Sequence, residues 1–170
     1  NGTTILLDNE LNLFQSEDAK LLECVKGISA GAYDVVLFYN SNPAYTLPKD
    51  DLKKALKNKK VKVTVSLNSH SDETGALCTY NCPDHHALES WADFHPKSNH
   101  YALAQPTIRP LHNTASALES FLVWSGKADR GGKDSTVAYD KIKETFSSLS
   151  TADFNMVMHN SCVELQQPML

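Results

Sequence analysis

Val61–Pro110, VKVTVSLNSHSDETGALCTYNCPDHHALESWADFHPKSNHYALAQPTIRP, carries most of the chemistry of this chain and decides how the rest is read. It opens as an apolar strand, with Val61, Val63 and Val65 alternating ahead of Leu67, and breaks at the polar turn Asn68-Ser69-His70. The acidic pair Asp72-Glu73 follows. A Cys/His-rich run comes next, then a Trp-containing segment and a second strand over His100–Gln105. Five of the seven histidines fall within this stretch.

Immediately upstream, Asp34–Tyr39 (DVVLFY) is a continuous apolar run, which predicts a strand buried on both faces, as in a parallel sheet covered by helices. Asn40-Ser41-Asn42-Pro43 ends it. Pro48-Lys49-Asp50-Asp51 predicts a helix start, with Leu52, Ala55 and Leu56 facing inward before the strand at Val61–Leu67. The unit is β-α-β, and its crossover is expected to be right-handed. In an open parallel sheet, ligands bind outside the carboxyl ends of the strands. The loops at those ends, Asn40–Tyr45 and Asn68–Thr74, are predicted to lie side by side and to form the edge where a small molecule would bind.

Outward from this core the signals are simpler. Residues 1–15 hold a short apolar run at Ile5–Leu7. Ser16-Glu17-Asp18-Ala19 predicts an N-cap with acids in the first turn of a helix carrying Leu21, Leu22, Val25 and Ile28, with Gly31 as its left-handed cap. Cys24 lies on that apolar stripe and reads as a buried thiol. Downstream, Thr79–Cys82 reads as a short strand before Pro83, and Ala87–Trp91 as a helical turn. Asn113 or Thr114 is a cap for a helix carrying Leu118, Phe121, Leu122 and Trp124. Gly126–Asp134 reads as a surface loop, and Ser135 as the cap of a helix carrying Val137, Tyr139, Ile142 and Phe146. The last twenty residues have little pattern.

The totals bound the class. A chain of 170 residues, 41% hydrophobic and 21% charged, suits one soluble globular domain. The net charge is −4, and its 16 Lys and Arg are scattered except at Lys57–Lys62, which reads as a solvated helix end. No nucleic-acid partner is expected. No segment reaches the roughly 20 apolar residues that span a bilayer, so direct membrane insertion is not expected either. The chain begins at Asn1 without a Met and stops abruptly at Leu170, which reads as a piece of something longer. Four cysteines in a domain with this apolar patterning do not indicate a disulfide framework.

Two cysteine readings compete at Cys78–His86. Cys78-x3-Cys82-x2-His85-His86 places four soft or borderline ligands in nine residues, which a tetrahedral zinc would accept. The alternative is a short strand with one buried Cys and histidines that hydrogen-bond locally. A cysteine nucleophile would pair Cys78 or Cys82 with His85, His86 or His100, but no helix N-terminus or oxyanion donor accompanies it in a recognisable order. Asp72-Glu73 and Glu89 are candidate acid–base groups or solvated carboxylates, and Asp72-Glu73-Thr74 also reads as a helix N-terminus. GxxxxGK[ST], GxGxxG and CxxCxxxC are all absent.

The order of these signals resembles a known family. An apolar strand ends in N-P (VVLFYNSNP, Val35–Pro43), a P…L..AL helix follows (Pro48–Leu56), and then come a strand, Asp72-Glu73-Thr74, a short strand closing on Pro83, and Leu88-Glu89-Ser90-Trp91. This resembles the third domain of the molybdopterin oxidoreductase superfamily, which includes formate dehydrogenases and DMSO reductases. Pro83–Trp91 (PDHHALESW) and Gln105–Leu111 (QPTIRPL) are similar to one branch, the molybdopterin-like iron–sulfur subunit of bacterial alternative complex III, with Bacteroidetes-type sequences among its members. The resemblance spans Ala19 to Trp124.

Its implications are expectations. The fold implied is a single α/β domain over Asn1–Leu170, with an open, mainly parallel, twisted, Rossmann-like sheet and helices on both faces, as a fragment of a larger oxidoreductase subunit. In active relatives that domain grips a guanine-nucleotide end of a bis-pterin molybdenum cofactor. By motif this places Ser41, Asn42 and Pro43 on the first loop and Asp72, Glu73 and Thr74 on the second as cofactor-binding positions. Two departures matter: Asn40 stands where the family usually has Gly, and Cys78–Pro83 (CTYNCP) replaces the family's A-D-V-V-L-P and lacks its acidic residue. Alternative complex III is thought to have lost the molybdenum cofactor and kept the fold. The resemblance therefore implies a scaffold without cofactor or activity of its own. It would pack against other domains of its subunit and other subunits of a quinol-oxidising respiratory complex, at the periplasmic face of the bacterial inner membrane. The alternatives are a genuine guanine-nucleotide-binding domain and a zinc-binding interaction module at Cys78–His86.

Overall fold

The structure is a computed structural model that describes Leu11 and residues 17–48, 51–57 and 60–165. The expectations for Ile5–Leu7, Ser16, Lys49-Asp50, Asn58-Lys59 and the last five residues lie outside the described residues. The described residues form two compact units, one from residues 17–85 with 114–117, the other from residues 86–113 with 118–165. Each is described by itself.

The first unit begins with α1, Asp18–Ala30. Gly31 ends it at φ 79°, ψ 33°, the left-handed region that glycine enters without a Cβ penalty. Gly31 N–H donates to Ile28 O at 3.1 Å and Ala32 N–H to Gly27 O at 2.9 Å, which satisfies carbonyls that the helix end leaves open. Val25 and Ile28 are buried, whereas Leu21 and Leu22 are exposed. Cys24 is half-buried against the core, not enclosed as expected.

β1 (Val35–Phe38), α2 (Pro43–Thr46), α3 (Asp51–Lys57), β2 (Val63–Ser66) and β3 (Tyr80–Asn81) follow. The strands form a parallel sheet in the order β1-β2-β3, with Val35 opposite Val63 and Val65 opposite Tyr80. Val36 and Phe38 pack with Val25 and Ile28 of α1 and Leu52 and Ala55 of α3. Burying Val25, Ile28, Phe38 and Leu52 stabilises the fold by about 1.5–3 kcal/mol each. The central strand is buried through Thr64, Val65, Ser66 and the following Leu67, with Val63 half-buried. β1 corrects the expectation of burial on both faces. It is an edge strand, and the helical cover reaches Val36 and Phe38, leaving Val35 53% and Leu37 40% exposed.

The second unit holds β4 (Ala92–Lys97), β5 (His100–Ala104), α4 (Ala117–Trp124), α5 (Val137–Leu149), α6 (Phe154–Asn160) and β6 (Cys162–Glu164); α4 starts on the last residue of the first unit. Its sheet is antiparallel, in the order β4-β5-β6. This corrects the expectation of a mainly parallel sheet. Tyr101 and Leu103 of β5 pack on Ile142 and Phe146 of α5, Phe154 and Val157 of α6, and Leu165. The rings of Phe146 lie 5.5 Å from both Tyr101 and Phe154, a separation at which aromatic pairs attract beyond their buried area. Tyr101, fully buried, donates its hydroxyl to Asp93 Oδ2 at 2.9 Å, which answers the polar end of a core side chain. Burial, then the hydrogen bond and charge of Asp93, push the Tyr101 phenol far above its ordinary range.

The architecture is thus mixed helix and strand, with one three-stranded parallel and one three-stranded antiparallel sheet. No helix among the described residues is long and apolar enough to cross a membrane.

Candidate functional site at the carboxyl edge of the parallel sheet

β1 and β2 run parallel and end level, with Phe38 opposite Ser66, so the loops that leave them emerge together. The structure brings Asn40–Tyr45 and Asn68–Thr74 into direct hydrogen bonding. Asn68, the second residue beyond β2, donates its amide to Ser41 O at 2.8 Å and accepts from Ser41 N–H at 3.3 Å. The same Asn68 amide donates to Asp72 Oδ2 at 2.6 Å. Asn42 donates to Glu73 Oε2 at 2.7 Å and accepts from Thr74 Oγ1 at 2.7 Å. Thr74 is fully buried, and its hydroxyl also accepts from Ala44 N–H at 3.0 Å.

Local backbone chemistry explains why these residues meet. Asn40 turns the chain at φ 48°, a left-handed conformation that Asn tolerates better than most side chains. Pro43 is the first residue of α2 and is buried. On the second loop, Asp72 Oδ1 accepts from Gly75 N–H at 2.6 Å and so starts the 3-10 turn Gly75–Leu77. That agrees with reading Asp72-Glu73-Thr74 as a helix N-terminus. Gly75 is constrained here: a Cβ would lie 2.8 Å from Asn81 Oδ1 and 3.2 Å from Asp72 Oδ1.

All six positions given by the family motif, Ser41, Asn42, Pro43, Asp72, Glu73 and Thr74, therefore gather at one edge: Asn42 bonds Glu73 and Thr74, and Asn68 bridges Ser41 and Asp72. Three backbone donors of the loops are engaged too: Ser41 N–H, Ala44 N–H and Gly75 N–H donate to Asn68, Thr74 and Asp72. The Asn42 amide holds the Glu73 carboxyl below its ordinary range, with the residue's own backbone helping. Two acidic side chains, Asp72 and Glu73, stand at the edge. As folded, these three backbone donors are engaged within the chain, with Asp72 and Glu73 beside them.

Burial raises the Cys78 thiol, opposing the thiolate that a nucleophile requires. Among the described residues, no group of three or more His, Cys, Asp or Glu side chains is placed to hold a metal ion. Asp84 Oδ1 accepts from His85 N–H at 2.8 Å and from Ala117 N–H, at the first residue of α4, at 2.7 Å, so neither Asn113 nor Thr114 begins that helix. His86 opens the second unit and caps the turn Ala87–Glu89, with Nδ1 accepting from Leu88 N–H while Glu89 Oε2 accepts from His86 N–H. Glu89, weighed as an acid–base group, spends its other oxygen on Leu111 N–H at 2.9 Å.

Asn68 is the residue that sequence reasoning left among the loop's polar groups without a role. Its signal was present: an Asn just past a buried strand, four residues ahead of an Asp. No protein-family model matches the chain, and no curated protein matches it.

Proposed function

We propose that this chain is a molybdopterin-oxidoreductase-type domain that serves as a cofactor-free scaffold in a quinol-oxidising electron-transfer assembly. The family and the assembly come from the resemblance of Val35–Pro43, Pro48–Leu56, Asp72–Thr74, Pro83–Trp91 and Gln105–Leu111 to the alternative complex III subunit. In this reading the layer β1-β2-β3 is part of an open, twisted, Rossmann-like sheet. The chain packs against other domains of its own subunit and against neighbouring subunits, at the periplasmic face of the bacterial inner membrane.

One observation supports scaffold over cofactor site. Ser41, Ala44 and Gly75 direct their backbone N–H groups to Asn68, Thr74 and Asp72 of the same chain. Loop donors taken up by the chain's own side chains favour a fold kept as scaffold over one kept open for a nucleotide. Rebuilding the edge for a nucleotide breaks three hydrogen bonds of about 1 kcal/mol each.

The test is the thermal midpoint of the purified chain across a GDP titration to millimolar concentration. A ligand that binds only the folded state must raise the midpoint. The scaffold reading predicts a flat titration, and a saturable rise would establish a working guanine-nucleotide site in its place.

A further inference from the structure

We propose that the open side of β1 pairs with β1 of a second copy of this chain, antiparallel across a twofold axis at Val36, so that a homodimer shares one six-stranded sheet. This dimer is independent of the scaffold reading and goes beyond it. Among the described residues, β1 has a strand on one side only, β2. In a parallel pair the N–H and C=O of one residue point to the same side, and successive residues alternate. Asp34 O accepts from Val63 N–H at 3.2 Å and Phe38 O from Leu67 N–H at 2.8 Å, so Asp34, Val36 and Phe38 face β2. Val35 and Leu37 therefore turn their N–H and C=O groups to the open side, where no described residue bonds them. Another strand is what satisfies such a row of backbone groups.

Proteins that stay monomeric guard an edge strand with Lys, with Pro or with a bulge. Val35–Phe38 has none of these: it reads VVLF, and its register runs unbroken from Val35 opposite Val63 to Phe38 opposite Ser66. Asp34, the charged residue next to the strand, is matched by Lys62 Nζ at 3.0 Å. A twofold axis at Val36 sets Val35 of each copy opposite Leu37 of the other. Each of these two pairs exchanges two N–H···O bonds, so every outward N–H and C=O of both copies is used. Within Val35–Phe38 no other register does so. Opposed residues share a face, and the exposed Val35 and Leu37 side chains meet as cross-strand apolar pairs. The two Asp34 carboxylates fall at opposite ends of the new ladder, roughly 14 Å apart and beyond a Debye length. The strand is thus complementary to itself in hydrogen bonds, apolar contact and charge, which selects a second copy as the occupant. A lipid surface would leave these N–H groups without partners.

The experiment is sedimentation velocity of the purified chain from about 5 to about 500 μM, a range suited to a small, reversible interface, with Val35→Lys run alongside. The proposal predicts a mass that climbs from one chain toward two across this range. Val35→Lys, whose charge guards the open side, should stay at one chain throughout. Its thermal midpoint at about 5 μM should lie within about 4 °C of wild type, because Val35 is exposed, which separates lost pairing from lost fold. Register is read by mixing Val35→Cys and Leu37→Cys chains under mild oxidation, each also carrying Cys162→Ser to remove the exposed native thiol. Hydrogen-bonded pairs hold their Cα atoms about 5.5 Å apart, within disulfide reach, so the mixture should give at least about fivefold more covalent dimer than either chain alone. A mass of one chain at every concentration would overturn the proposal and leave the open side to a strand of another protein. So would a dimer that survives Val35→Lys, or a mixture that crosslinks no better than the separate chains.

Discussion

Thr74 Oγ1 donates to Asn42 Oδ1 at 2.7 Å across 32 residues of sequence, and the same hydroxyl accepts from Ala44 N–H at 3.0 Å. One buried oxygen thus answers a side chain and a backbone donor of the opposite loop. Thr74→Val keeps the volume and removes both bonds, leaving Asn42 Oδ1 and Ala44 N–H to find water at a buried position. We expect a loss of about 2–3 kcal/mol, read as a lower urea midpoint with an unchanged slope. Thr74→Ser keeps the hydroxyl and should lose about 1 kcal/mol, the share of one buried methyl.

Asn40 supplies the second prediction. Its φ of 48° is the left-handed turn that carries the chain from β1 into the first loop. Asn40→Gly removes the Cβ penalty at that angle and is expected to leave stability unchanged or raise it by up to about 1 kcal/mol. Asn40→Val places a branched Cβ in the same conformation and should cost about 1–3 kcal/mol. Paired thermal melts of the two variants against wild type check the ordering. A Val variant as stable as the Gly variant would remove the strained turn from the account.

The Tyr101–Asp93 bond sets an alkaline limit. Folding raises the Tyr101 phenol above its ordinary value of about 10, so the folded state keeps a proton that the unfolded chain releases. The contribution is complete below about pH 10. It is lost as the pH climbs from there toward the folded-state value, because the unfolded state then binds fewer protons. Tyr101→Phe should cost about 1–2 kcal/mol at neutral pH and flatten the decline in stability above pH 10. Urea midpoints of both proteins between pH 8 and about pH 11 measure the difference. Equal slopes would show that some other group causes the alkaline loss.

How much of this was legible follows from where each signal lived. β1, β2 and the cap at Gly31 were readable because punctuation bounded them: Asn40–Pro43 after one strand, Asn68–His70 after the other, Gly31 after a periodic helix. The meeting of the two strand-end loops followed from parallel topology alone. Burial of β1 did not, since Val35–Phe38 is the same apolar run whether one face or two are covered. β4 was hidden by Pro96 and by the register shift between Phe94 and Lys97, which break the alternation that marks a strand. α6 and β6, seven and three residues long, are too short for either period to show. The side chains of the candidate site were visible, but their use was not. Nothing local says that Thr74 answers Asn42, or that Glu89 spends its carboxylate on Leu111.

The central claim is that the two carboxyl-edge loops hold each other through their own side chains, and a double-mutant cycle on Asn42→Ala and Thr74→Val tests it most directly. Both residues belong to one hydrogen-bonded network, so their effects on unfolding free energy should not add. We predict a coupling of about 1 kcal/mol or more, with the double variant destabilised by less than the sum of the single ones. Additivity within about 0.3 kcal/mol would mean that the bond between the loops contributes nothing, and the edge would have to be explained as a site kept open for a ligand.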